Sequence, residues 1–298
     1  MKQTVAICTR TGTIKMELPS PGEFLLNSVQ WGAVDAFPTP AYWQCQVIAR
    51  RLVGHPARYK LGRTLTEEAA ACLLGGHGIP ATVGIAAYEK LRNLGAFEKT
   101  TPSGAQMEAW LREPLHVEQR QIRYRFAAQK ARYLAAAIPL INSAPEFTSG
   151  KQLRNWLLQI RGIGPKTGSW IARNWMDAND VAILDIHIMR VGQAMGLFPR
   201  ELTVERHYLE LESLFLEFSH ALDVNASELD SVIWYEMASS PTTAHFIMDQ
   251  LRDISASSTG TRRQKKKTGS LQLPLVNSIQ IAPTTAIPTP CKVTASVR

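Results

Sequence analysis

Apolar residues recur along most of this chain at the three-to-four-residue step of a helix lying on a core, and the first twenty residues break that rule. Residues 4–8 and 13–18 are β-rich runs around Arg10-Thr11-Gly12, which predicts a β-hairpin over 3–18. Pro19-Ser20-Pro21-Gly22 then breaks the chain. From there to residue 252 the pattern predicts helices. The first is an aromatic-rich one over 41–53, after two prolines. Thr66 is placed to cap the next, with Glu67 and Glu68 in its first turn. Gly75-Gly76-His77-Gly78-Ile79-Pro80 ends that helix and opens one over 81–94. A short helix is expected over 106–112, and a long one, basic on one face, over 125–141. Two more, 151–160 and 166–176, meet at a Gly-Ile-Gly turn. Helices then follow at 186–195 and from Thr203 to about 222. Ser227 and Asp230 read as a capping box for one ending near 238, and 241–252 is the last. Beyond it come Ser, Thr, Pro, Gly and Lys without period, so disorder is expected. The predicted division is a hairpin over 1–22, a helical region over 23–253 and a basic tail over 254–298.

A chain of 298 residues can bury one or two sizeable cores. It has no run of 18 apolar residues, and residues 1–5 lead into no long apolar signal core. A bacterial cytosol or nucleoid is the expected place. The net charge of +8 says little about the fold, because residues 254–298 hold seven Lys/Arg and no acid, leaving 26 basic against 25 acidic residues in the rest. Affinity for nucleic acid must therefore come from local clusters. Cys8, Cys45, Cys72 and Cys291 are scattered, with neither metal-ligand spacing nor the look of a disulfide framework.

One stretch carries chemistry: Arg161-Gly162-Ile163-Gly164-Pro165-Lys166-Thr167-Gly168-Ser169-Trp170-Ile171. The glycines let the backbone turn tightly and approach a ligand. Pro165 sits near the first helical position, where its missing N–H costs nothing. The free amides of that helix N-terminus form a site for a phosphate. Lys166 rides on this turn, and nineteen residues later Asp185 ends the apolar run Val181-Ala182-Ile183-Leu184.

That combination resembles the helix-hairpin-helix DNA glycosylases that carry a Gly/Pro-rich loop and a downstream aspartate. Within them it is most similar to the 8-oxoguanine glycosylase/lyase branch. The likeness covers residues 152–197 and extends weakly to 123–133. It implies a mostly α, two-lobed fold with a small N-terminal β-hairpin, one lobe built from both ends of the chain, and DNA in the cleft. The expected partner is double-stranded DNA with a modified or abasic site, bound by a monomer. Some relatives hold an iron–sulfur cluster on four closely spaced cysteines after the aspartate. Only Cys291 lies there in this chain, so no cluster, metal or other cofactor is expected.

Excision needs a nucleophile at the sugar C1′ and help for the leaving base. Attack by Lys166 would give a Schiff base, which allows β-elimination and strand cleavage. A lysine is protonated at neutral pH and must shed that proton, which the positive helix terminus favours. Asp185 would stabilise the positive charge developing on the sugar or relay a proton. It is also placed to cap the helix starting at Ile186. His187 contacts DNA beside the lesion in the resembled family; otherwise it is a satisfied surface histidine. Gly162 and Gly164 would bind the DNA backbone. Trp170 shares the helix face of Lys166 and reads either as a wall of the base pocket or as core, with Ile171 and Trp175 pointing the other way. The family more often has a small or sulfur-bearing residue there, which leaves the identity of the base open. Arg120, Arg123, Arg125, Lys130 and Arg132 form a basic run with Tyr124 and Phe126 between them. It is either a solvated face or a DNA-binding one, and the resemblance puts Gln129 and Lys130 near the orphaned opposite base. Gly75 to Gly78 would cap a helix or line the pocket. The run at 262–267 adds at most non-specific affinity. An oxidised purine is the expected target. Two other readings stay open. One is another modified purine, since a similar glycosylase-like component occurs among bacterial anti-phage operons with deazapurine-modifying enzymes. The other is a non-enzymatic hairpin that binds DNA.

Overall fold

The architecture is that of a computed structural model, which describes residues 1–9, 12–54, 59–76, 78–98, 100–258 and 293–296. The chain opens with the antiparallel pair β1 (Gln3–Thr9) and β2 (Gly12–Leu18), followed by the small pair β3 (Phe24–Leu26) and β4 (Val29–Gln30). Helices α1 (Pro40–Val53), α2 (Leu65–Leu74), α3 (Ala81–Asn93) and α4 (Gly104–Arg112) come next. A second short hairpin, β5 (Leu115–Val117) and β6 (Arg120–Ile122), leads into α5 (Ala127–Asn142). The hairpin helices are α6 (Gly150–Leu157) and α7 (Pro165–Met176). After them come α8 (Ile186–Ala194), α9 (Val204–Ala221), α10 (Ala226–Ser239) and α11 (Pro241–Ser258), and then strand β7 (Val293–Ser296).

Two cores divide these elements. One joins β1, where Val5 and Ile7 alternate inward, and the Trp43 face of α1 to α8, α9, α10 and Ile247 of α11. Among the described residues, the buried side chains of the other come from residues 69–181, from α2 through α7. One lobe is thus built from both ends of the chain, as the resemblance implied. The chain returns from the second core to the first between Val181 and Ala182, just before Asp185. None of the described helices is long and apolar enough to cross a membrane.

Several local expectations shift. Thr64, not Thr66, caps α2, its Oγ1 accepting the Glu67 amide at 3.2 Å, while Thr66 donates to Asn142 Oδ1. The capping box of α10 is Asn225 with Glu228, two residues before Ser227 and Asp230. That offset decides the role of Asp230, which turns into the protein and is buried. The predicted helix over 125–141 starts at Ala127, with Phe126 as its non-helical N-cap; before it, Leu115 and Val117 point inward on either side of an exposed His116, a strand pattern three residues long. The tail begins later than expected. Helix α11 continues to Ser258, and β7 pairs antiparallel with β1, Thr4 opposite Ser296 and Ile7 opposite Val293. The basic run at 262–267 and Cys291 lie outside the described residues.

Candidate active site at the hairpin

Helices α6 and α7 pack Leu153, Leu157, Ile160, Ile163, Ile171 and Ala172 into the second core, which holds the turn between them rigid. Gly162 has φ +95°, and a Cβ there would lie 2.5 Å from the ring of Tyr133 on α5. Only glycine allows both the left-handed backbone and that close approach. Gly164 is the N-cap of α7, followed by Pro165, and no side chain caps the helix. The space where its Cβ would stand is open. The amides of Lys166 and Thr167 therefore end the helix without a side-chain partner, with the positive end of the dipole behind them. Such a terminus takes an anion. Lys166 emerges from the same turn, half-buried, with no hydrogen bond or ion pair to its ammonium among the described residues.

Asp185 caps α8. Its Oδ1 accepts both the His187 amide at 2.8 Å and the Ile188 amide at 3.0 Å. Its Oδ2 carries no hydrogen bond among the described residues, so one carboxylate oxygen is structural and the other is left over. The half-buried His187 does not have the satisfied ring of a surface histidine: Nδ1 is buried without a partner among the described residues.

Residues that the sequence reading did not single out hold this segment. Glu212 of α9 accepts the Ala182 amide at 3.0 Å and the Ser169 hydroxyl at 2.9 Å, and pairs with Arg154 of α6 at 2.8 Å. Asp230 of α10 accepts the Ile183 amide at 3.3 Å and the Ser231 hydroxyl at 3.0 Å, 3.6 Å from Arg173 of α7. Tyr208 of α9 accepts the Leu184 amide and donates to the Ala182 carbonyl. Burial pushes the Asp230 carboxyl up from its ordinary range, Arg173 opposing it, and burial likewise raises the Tyr208 phenol. One signal was available in the sequence. Glu212 stands four residues after Tyr208, on the stripe that Leu211, Phe215 and Phe218 define as core. A charged residue on such a stripe has to be paired.

The basic run divides in two. Arg112, Arg123, Arg125, Phe126, Gln129 and Arg132 line an open groove of about 590 Å3. The Arg125 guanidinium lies 5.1 Å from the Phe126 ring centre. Gln129 donates to the Tyr133 hydroxyl, and Tyr133 abuts Gly162, so the groove adjoins the hairpin turn. Lys130 departs from expectation. Its ammonium turns inward to the Leu73 and Gly75 carbonyls at the end of α2, and burial lowers its pKa. A cation there satisfies the carbonyls that a helix C-terminus leaves open. Gly75 is the C-cap of α2, so this turn serves as a cap; His77 lies outside the described residues.

Trp170 is half-buried, with the edge of its ring against Gly75, whereas the next residue, Ile171, is fully buried. Trp175 is not wholly in the core either, since Lys60 lies over its ring at 3.5 Å. Trp170→Ala should keep a near-native melting temperature, because a half-buried ring gives up less than the about 3–5 kcal/mol of stability that emptying a packed core site costs. A collapsed melting temperature would make Trp170 core.

The chain matches the family model described as 8-oxoguanine DNA glycosylase over residues 58–224. A relative from Methanocaldococcus jannaschii, named 8-oxoguanine DNA glycosylase/AP lyase, is 33% identical over 131 residues, 42% of this chain and 62% of that protein. One of the same name from Metallosphaera sedula is 34% identical over 117 residues, 38% of this chain and 57% of that protein. This chain spans less than two thirds of the length of these curated relatives. Among solved structures, the M. jannaschii 8-oxoguanine glycosylase/lyase in complex with a 15mer DNA containing 8-oxoguanine is 26% identical, with a TM-score of 0.46, covering 59% of this chain and 81% of that one.

Proposed function

This chain belongs to the 8-oxoguanine DNA glycosylase family, and on that premise we propose that it excises an oxidised purine from duplex DNA and then cleaves the abasic strand through a lysine Schiff base. The observation that carries the reading is a lysine without a partner among the described residues, on an uncapped helix N-terminus beside a turn with open space at Gly164. The amides of Lys166 and Thr167 bind a phosphate, with Gly162 and Gly164 giving the strand room. Lys166 Nζ attacks C1′, the glycosidic C–N bond breaks, and the base leaves with the bonding pair and takes up a proton. The free Oδ2 of Asp185 faces the charge that develops on the sugar or carries the proton. Loss of a proton from Nζ and breaking of the C1′–O4′ bond, with O4′ taking up a proton, open the sugar to an iminium; this makes the C2′ proton acidic, and its loss expels the 3′ phosphate by β-elimination.

His187 sits beside this centre as a DNA contact, Trp170 is one wall of the base pocket, and Gln129 and Arg132 meet the strand in the groove. Lys130 acts there through the α2 terminus it braces. The tryptophan favours a second reading, in which the base is another modified purine. Nicking assays over duplexes that each hold one modified base, 8-oxoguanine among them, separate the two readings. Strongest cleavage at 8-oxoguanine supports the first. Cleavage confined to other bases supports the second, and none at any base or at an abasic site defeats both.

A further inference from the structure

We propose that Tyr208, Glu212 and Asp230 are positioning residues that set Asp185 against Lys166 across the boundary between the two cores. The inference rests on the reading of those two as the reacting pair. Residues 181–184 form neither helix nor strand, so their amides have no ladder to join. Three consecutive ones go to side chains of α9 and α10 instead: Ala182 to Glu212, Ile183 to Asp230 and Leu184 to Tyr208. The Tyr208 hydroxyl closes the set by donating to the Ala182 carbonyl at 2.7 Å. The same two carboxylates reach the hairpin. Glu212 meets Arg154 of α6 and Ser169 of α7, and Asp230 lies beside Arg173 of α7. Ser169 stands three residues from Lys166 on one helix. Glu212 therefore touches both the helix that carries the amine and the segment that presents the carboxylate.

Stability alone is a weak reason for this arrangement. Arg154, Ser169, Glu212 and Asp230 are each at most 3% exposed, and apolar residues of similar volume usually stabilise a buried site as well as an ion pair does. What charged pairs supply is register. These bonds are directional, and they fix the three residues just before Asp185. A misplacement of about 1 Å at a reacting group costs on the order of a hundredfold in rate.

Tyr208→Phe keeps the ring and removes both bonds. Three measurements read it: the single-turnover excision rate at saturating enzyme, the affinity for an abasic duplex, and the same substitution made on Asp185→Asn. The rate should fall at least about tenfold with affinity within about threefold, and amide exchange at Leu184 should quicken. On the Asp185→Asn background the substitution should add less than about twofold, because a residue acting through Asp185 has nothing left to position. Should Tyr208→Phe not fold, Glu212→Gln is read the same way. An unchanged rate, or a full penalty on the Asp185→Asn background, overturns the inference while the reading of the site stands. A wild-type protein that neither nicks nor traps on DNA overturns both.

Discussion

Lys166→Gln should abolish the adduct that borohydride traps between protein and abasic DNA. Glutamine keeps most of the length and the polarity but has no basic amine, so no iminium forms and there is nothing to reduce. The residue is half-buried and has no partner among the described residues, so the substitution breaks no bond that holds the fold. The phosphate site is made by main-chain amides at the start of α7, which the change leaves in place. Binding to an abasic duplex should stay within a few fold, while strand cleavage falls by about a thousandfold or more, the scale on which loss of a covalent nucleophile acts. Trapping at the wild-type yield would move the nucleophile elsewhere.

Asp185→Asn separates the two oxygens of that side chain. The asparagine carbonyl can still accept the His187 and Ile188 amides, so α8 keeps its cap and the melting temperature changes little. The negative charge is lost. Electrostatic help aimed at a charge that develops only in the transition state is worth a factor on the order of a hundred or more. Single-turnover excision should fall by that much, with the affinity for DNA nearly unchanged. Excision within a few fold of wild type would make Asp185 only a cap.

The parts that the sequence announces are the local ones. Gly162, Gly164, Pro165 and Lys166 lie within five residues, and each constrains the backbone where it stands, so the turn and the two helices around it are legible at once. Asp185 is legible because it ends an apolar run. What supports it is not, because the bonds from Ala182 and Ile183 close loops of 30 and 47 residues and Arg154 reaches Glu212 over 58. No local pattern says which buried acid meets which amide, although an acid on an apolar stripe announces that it must meet something. Lys130 was misread for the same reason. Its place in a basic run suggested a solvent-facing charge, but the α2 carbonyls that claim it are 55 and 57 residues away. The β5–β6 pair was missed because three-residue strands are too short to show a period.

The most direct measurement takes the wild-type protein on two duplexes, one with 8-oxoguanine and one with an abasic site, each with and without borohydride, and maps any adduct by peptide mass spectrometry. The expected result is a nicked strand on both duplexes without the reductant, and with it a single adduct on Lys166. Intact strands and no adduct on either duplex would contradict it and leave the hairpin as a DNA-binding element alone.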